Sequence, residues 1–184
     1  DWVGGQFLDG RAATLEAQAG GPLLNPAEMA MPNKASVVAR LRENPRYEAQ
    51  FAEVFGPGVL DNAEAAYEAM TRAIAAFERT KDFASFDSKY DRFFRGEAEL
   101  TDEEELGRLL FFSQQFTNCN QCHQLSNSAI DPQETFTDYR FHNIGVPENR
   151  TLRGMNGSEE GIVDEGLFAH PDIADASQRG KFRT

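Results

Sequence analysis

Two cysteines and a histidine fall within five positions in the stretch FTNCNQCHQLSN, residues 116–127. They are Cys119, Cys122 and His123, in a chain of 184 residues that has two cysteines and three histidines in all. No other feature narrows the possible folds so far. In C-x-x-C-H, two thiols three positions apart on a helical turn can each add to one vinyl group of a porphyrin, and the next residue then lies beneath the iron as its proximal ligand. The pattern therefore reads as an attachment site for haem c, with Cys119 and Cys122 as the thioether residues and His123 as the axial imidazole. A zinc site would need two further ligands, and His142 and His170 lie in different sequence contexts. A thioredoxin-like pair would follow a strand, whereas a capped helix precedes this one. A structural disulfide would gain nothing from the adjacent histidine.

A covalently held porphyrin lets a chain keep its cofactor with a small surrounding core. It also sets the compartment: haem c is attached outside the bacterial cytoplasm, so the periplasm, or the outer face of a membrane, is expected. The formal net charge of −12 leaves no basic stripe for phosphates, which excludes nucleic acid as a partner. It also disfavours an anionic membrane surface. An acidic protein suits a small basic partner, although acidity also serves solubility alone. No apolar run approaches the length of a membrane span. The chain opens DWVGGQFLDG without a leader and closes on GKFRT; both ends read as cuts inside a longer protein.

The hydrophobic pattern is helical along the first two-thirds of the chain. Gly- and Pro-rich residues 1–32 read as loop around one short helix, RAATLEAQA. NKASVVARLREN places Val37, Val38 and Leu41 on one face, and RYEAQFAEVFG places Tyr47, Phe51, Val54 and Phe55 on another. DNAEAAYEAMTRAIAAFERT puts Tyr67, Met70, Ile74 and Phe77 at offsets of three and four, a single buried stripe. KYDRFFRG is a short helix ending at Gly96. Thr101 and Glu104 form a T-x-x-E capping box that opens a helix carrying Leu106, Leu109, Leu110 and Phe111 and running up to the cysteines. Beyond residue 125 the pattern dissolves into turns, with short extended pieces around Phe136 and Phe141. The class is mainly α, with long ordered loops and few short strands. Loops of this length are easier to explain over a large apolar group.

Three other side chains bear on the iron. Met155, in the glycine-punctuated LRGMNGSEEG, reads either as a sixth ligand or as an ordinary loop residue, the second being preferred. His142, in YRFHNIGVP, reads as a partner of a haem propionate or a packed side chain rather than a ligand. Met29 and Met31 read as packing residues.

A second text lies in the N-terminal third. GGQFLDGRAATLEAQAGGPLLNPAEM resembles the segment that follows the first haem motif in bacterial di-haem cytochrome c peroxidases and the related MauG-type enzymes. AIAAFERT, FDSKYDRFFRGEAELTDEEELGRLLFF, C-x-x-C-H, FHNIGVP and RGKFRT agree in the same order, so the resemblance covers essentially the whole chain. It implies two tandem cytochrome-like haem domains. Residues 1–80 would be the later part of the N-terminal, peroxidatic domain, without its own C-x-x-C-H. Residues 81–184 would be the C-terminal electron-transfer haem c domain, truncated at its end. A second haem c is then expected in the full-length protein, with calcium between the haems and a homodimeric assembly.

The resemblance also carries two residues into catalysis. Glu28, in PAEM, matches the family's distal glutamate, and Gln18, in LEAQAGGP, matches the glutamine beside it. A carboxylate near bound peroxide can take its proton and return it to the departing oxygen, while the amide orients peroxide or water. Without the family, Glu28 would be a surface acid in a first helical turn after Pro26. There is one departure: the family's tryptophan between the haems is Leu8 here, in GQFLDGR, which puts the usual inter-haem electron route in doubt unless Trp2 replaces it. The axial ligand opposite His123, Met in peroxidases or Tyr in MauG itself, is expected beyond FRT. The expected activity is reduction of hydrogen peroxide to water by a cytochrome c peroxidase, with electrons from a small cytochrome c or cupredoxin. The alternatives are a MauG-like oxidase that modifies a partner protein, and a mono-haem electron carrier.

Overall fold

In a computed structural model of the chain, residues 4–125, 135–156 and 161–184 are described. Seven α-helices come first to last as α1 (Leu15–Leu24), α2 (Lys34–Arg42), α3 (Pro45–Phe55), α4 (Ala63–Glu78), α5 (Lys89–Phe94), α6 (Asp102–Phe111) and α7 (Arg150–Asn156). Two strands of two residues each, β1 (Phe141–His142) and β2 (Phe182–Arg183), pair antiparallel with Phe141 opposite Arg183. The fold is mainly α with very little sheet, as the sequence pattern requires.

The helix starts follow from side-chain caps. Thr14, Asn33, Asn44 and Asn62 each accept a backbone N–H from the first turn of α1, α2, α3 and α4, satisfying donors that have no partner inside the helix. Ser88 with Asp91 and Thr101 with Glu104 form reciprocal capping boxes at α5 and α6.

Helix α4 is the axis of the N-terminal half. Tyr67 and Met70 are buried on it with Val37 of α2, and Leu23, Leu24, Met31, Leu41, Phe51 and Ile74 pack around them. A neighbouring cluster joins Val38, Leu60 and Ala66. Each large side chain buried in this way contributes about 1.5–3 kcal/mol. The expected stripe is shorter than its spacing suggests: Phe77 is 56% exposed and stacks edge-on against Phe83 at 5.0 Å. On α3, Phe51 reaches the core while Val54 stays exposed. Met31 packs against the core, whereas Met29 is exposed.

Helix α1 begins at Leu15 and continues through Gly20, Gly21 and Pro22, residues whose composition suggests a loop. Tertiary contact overrides that propensity. Gly20 lies against the Tyr67 ring, where an added Cβ would come 3.2 Å from a ring carbon. The Tyr67 hydroxyl donates to the Gly20 carbonyl at 2.5 Å. Glu16 receives two hydrogen bonds from the Arg79 guanidinium, at 2.7 and 3.2 Å, so α1 is fastened to α4 at both its start and its middle.

The two ends of the chain meet. The Arg183 backbone N–H donates to the Leu8 carbonyl at 2.7 Å, its guanidinium donates to Gly4 O at 2.6 Å, and it lies over the Phe141 ring. Gly10, at φ +72°, is closed in by Phe141 and Leu167, and a Cβ there would meet the Phe141 ring at 2.9 Å. The loop carrying Leu8 is thereby laid on the small sheet.

Candidate haem turn and distal acid–base unit

Helix α6 stops at Phe111, short of the cysteines, rather than running up to them. A turn follows, closed by the Asn118 N–H donating to Ser113 O and the Thr117 hydroxyl donating to Leu110 O. Asn118 then adopts the left-handed region at φ 53°, which asparagine tolerates, and turns the chain into a short 3-10 segment, Cys119–Gln121. Both the Cys122 and His123 N–H groups donate to the Cys119 carbonyl. The two thiols are free and half-buried on one turn, with His123 exposed immediately after them.

The imidazole is oriented from behind. His123 Nδ1 lies 3.1 Å from the Phe136 carbonyl. A carbonyl can only accept, so Nδ1 carries the proton and Nε2 keeps its lone pair for a metal. Phe136 itself has φ +54°, a conformation costing on the order of 1–2 kcal/mol for a residue with a Cβ. Its ring is held by Tyr90 at 5.2 Å and Phe111 at 5.8 Å, both edge-on. The Phe136 segment is thus no strand, contrary to the sequence pattern. An apolar cavity of about 460 Å³ opens beside this aromatic platform, lined by Tyr90, Leu100, Gly107, Phe111, Phe112 and Phe136. Burial of Tyr90 raises its phenol above its ordinary value.

Asp138 joins the turn to the sheet. Its N–H donates to Cys122 O at 3.0 Å, and its carboxylate accepts from Arg140 N, Thr184 Oγ1 and His142 Nε2. Burial acts to raise this carboxyl, but those hydrogen bonds outweigh it and hold the group below the usual aspartate value. His142 is therefore the half-buried partner of a carboxylate, 2.8 Å away. Met155 is 81% exposed and sits on α7 rather than in a loop. Buried His170 accepts from Asp172 N through Nδ1. Among the described residues, no group of three or more His, Cys, Asp or Glu side chains is placed to hold a metal ion, so the thiols have no zinc co-ligands there.

Free thiols on one turn, an imidazole with its outer nitrogen protonated and fixed, and an aromatic wall behind it make a donor set that fits a thioether-linked porphyrin. Exposed Leu106, Leu109, Leu110 and Phe116 surround the approach in sequence. Sequence reasoning missed Phe136 and Asp138. The carbonyl of Phe136 has no side-chain signature, and Asp138 looks like any acid in a polar loop.

The distal candidates belong to one unit at the other end of the chain. Gln18 is half-buried on α1, and Glu28 is exposed in the turn after that helix. The turn folds back over the helix end, so that Asn25 N donates to Gly21 O, Met29 N to Pro22 O and Met31 N to Leu23 O. These bonds occupy carbonyls that a helix terminus leaves open. Glu28 N and Ala30 N both donate to Asn25 O, and Asn25 Nδ2 donates to Glu28 Oε1 at 3.0 Å. Glu28 is thus a turn residue and not a first-turn helical acid. Leu8 is 70% exposed on the loop that bridges this unit to the sheet, and Trp2 lies outside the described residues.

Comparison with known proteins places the chain in a family. A family model described as di-haem cytochrome c peroxidase matches residues 1–99. The methylamine utilization protein MauG of Paracoccus denitrificans is 48% identical over 182 residues, which is 99% of this chain and 46% of that protein. The cytochrome c peroxidase of Escherichia coli is 38% identical over 156 residues, 84% of this chain and 31% of that protein. Among solved structures, the diheme peroxidase BthA of Burkholderia thailandensis superposes with a TM-score of 0.83 at 33% identity, over 98% of this chain and 44% of that one. The chain spans less than half the length of each of these relatives. With a family match over more than half of its residues, the chain belongs to the di-haem cytochrome c peroxidase and MauG family.

Proposed function

We propose that this chain is part of a periplasmic di-haem peroxidase that reduces hydrogen peroxide to water. Cys119 and Cys122 hold haem c through thioether bonds, and His123 ligates its iron through Nε2. The haem supplies a redox-active iron at which electrons from a small cytochrome c or cupredoxin enter. The Phe136 carbonyl keeps Nδ1–H engaged, which fixes the plane of the imidazole and increases its basicity towards the metal. The Phe111 ring lies 6.2 Å from the imidazole, and Phe111 and Tyr90 in turn hold Phe136, whose carbonyl makes that bond.

On the distal side, Glu28 acts as the acid–base group for peroxide at a second haem held by another part of the protein. Its carboxylate takes the proton from the proximal peroxide oxygen and returns it to the distal oxygen, which leaves as water. Gln18 orients peroxide or water by hydrogen bonding from α1. Two electrons and two protons balance each peroxide against two waters. The observation that carries the reading is that one chain combines the α1–turn unit holding Gln18 and Glu28 with the haem turn ending in His123.

The 48% identity to MauG supports a second reading, in which the same oxidising site modifies a partner protein. Leu8 bears on both, because an aliphatic side chain cannot relay an electron as an indole can. Assembly as a homodimer and a calcium ion between the haems belong to the same family-based proposal. The test is Glu28→Gln in the full-length, haem-loaded enzyme. Peroxide turnover should fall by about 10²–10⁴-fold, with both haems still attached. Turnover near wild type would remove Glu28 from the mechanism.

A further inference from the structure

Asn25 uses nearly every polar group it has on one turn, and this accounts for how a glutamate so exposed comes to hold a fixed direction. Its backbone N–H closes α1 on Gly21 O at 3.2 Å. Its carbonyl accepts from Glu28 N at 3.0 Å and Ala30 N at 2.9 Å. In the side chain, Oδ1 accepts from Ala27 N at 3.0 Å, an Asx-turn, and Nδ2 donates to Glu28 Oε1 at 3.0 Å. The orientation of the amide follows from its partners: Ala27 offers an N–H and needs an oxygen, while a carboxylate needs an N–H. No flipped amide satisfies both.

We infer that Asn25 is the positioning residue for the Glu28 carboxylate. This rests on the reading of Glu28 as the acid–base group. Asparagine is suited to the place because one side chain serves two roles: its oxygen builds the turn, and its nitrogen pins the acid. Pinning Oε1 fixes the rotamer and the carboxylate plane and leaves Oε2 to exchange the proton with peroxide. The amide is neutral, so it holds the carboxylate by a hydrogen bond without placing a cation beside it. Among the described residues Glu28 takes part in no salt bridge. Glu28 could otherwise sample several rotamers, and a general base works only within hydrogen-bond reach of its proton. The Met29 and Met31 N–H bonds to Pro22 and Leu23 carbonyls then lock the whole turn to the end of α1, the helix that carries Gln18. Both distal groups are thereby carried by one rigid unit.

The experiment uses the full-length, haem-loaded enzyme with Asn25→Asp, Glu28→Gln and the double variant. Aspartate keeps the oxygen that Ala27 N needs but loses the amide donor and sets a second carboxylate beside Glu28. We expect both haems and the melting temperature to be retained. We expect kcat/KM for peroxide to fall about tenfold, with the acid limb of its pH profile moving to higher pH because a neighbouring negative charge disfavours ionisation of the base. In the Glu28→Gln background, Asn25→Asp should cost nothing further. Asn25→Ser, which also keeps a turn oxygen and lacks the amide, should lower kcat/KM with a smaller shift of the acid limb in the same direction, since it removes the donor without adding a charge, and it serves if the aspartate variant fails to fold. An unchanged rate and pH profile in both Asn25 variants, with Glu28→Gln inactive, would overturn the inference and leave the Glu28 reading standing. Equal losses in both backgrounds would also overturn it, since Asn25 would then act independently of Glu28. Full activity of Glu28→Gln would instead remove the reading on which it rests.

Discussion

The two halves of this chain bury their apolar residues in different ways. In the N-terminal half, α1 to α4 cover one another, and both buried apolar clusters among the described residues draw only on residues 23–74. In the C-terminal half, the large buried apolar side chains among the described residues are Phe141 and Leu167, held at the small sheet, while Leu106, Leu109, Ile144, Val146 and Met155 are exposed. The aromatic residues there form a chain of ring contacts, from Phe93 and Phe94 through Tyr90 and Phe136 to Phe111, that ends against His123. A helical bundle obtains its core from its own sequence. The C-terminal half shows little such core among the described residues, and covalent attachment of a prosthetic group would suit a half of that kind.

If that contrast is sound, variants should separate the halves. The largest effect is expected from replacing both thiols, Cys119→Ala with Cys122→Ala, in protein matured for haem c. The Soret band should vanish, and limited proteolysis should cut within residues 97–165 while α1–α4 stays protected. Equal loss of protection in both halves would show that they fold as one unit. Next comes Met70→Ala, which opens a cavity beside Tyr67 and Val37 and should cost about 2–5 kcal/mol in denaturant unfolding of the helical half. The absorption spectrum of the haem on His123 should be unchanged in that variant. Thr101→Ala removes the capping box of α6 and should cost about 1 kcal/mol. Its effect belongs to the haem half and should be read from loss of haem-region protection in hydrogen exchange.

The smallest effect is a matter of pH. Hydrogen bonding to Arg79 lowers the Glu16 carboxyl from its ordinary 4.5 to about 2. A carboxyl whose folded value is depressed contributes stability above its unfolded value, and that contribution disappears as pH falls through the folded value. Glu16→Gln should therefore melt at a lower temperature than the parent at neutral pH, with the gap closing between about pH 4.5 and pH 2. Both partners are exposed, so added salt should shrink the gap as well.

How much of this was legible beforehand differed between the halves for the same physical reason. The offsets of Tyr67, Met70 and Ile74 and the capping box of Thr101 and Glu104 could be read directly, because local spacing and local hydrogen bonds decide them. Helix α1 through Gly20-Gly21-Pro22 could not, because a hydroxyl on Tyr67, 47 residues away, stabilises it. The partner strand of Phe141 lies at Phe182, and two residues carry too little alternation to show a strand. That Cys119, Cys122 and His123 share one turn was plain from spacing. The carbonyl that orients His123 was not, since its donor and acceptor are set by the backbone angle of Phe136. Asn25 gave no sign of its role, because its grip on Glu28 depends on the fold-back over α1. Residues 126–134, which the sequence pattern reads as turns, lie outside the described residues.

The account stands or falls on the turn at Cys119, Cys122 and His123. The most direct test is mass spectrometry with a pyridine haemochrome spectrum on the chain matured by a c-type haem apparatus, set beside His123→Ala. We predict one haem held by two thioether bonds, seen in the mass and in the haemochrome band of a porphyrin with both vinyl groups saturated, and a native absorption spectrum that changes in His123→Ala as the histidine ligand is lost. A matured chain with free thiols and no Soret absorption would contradict the account.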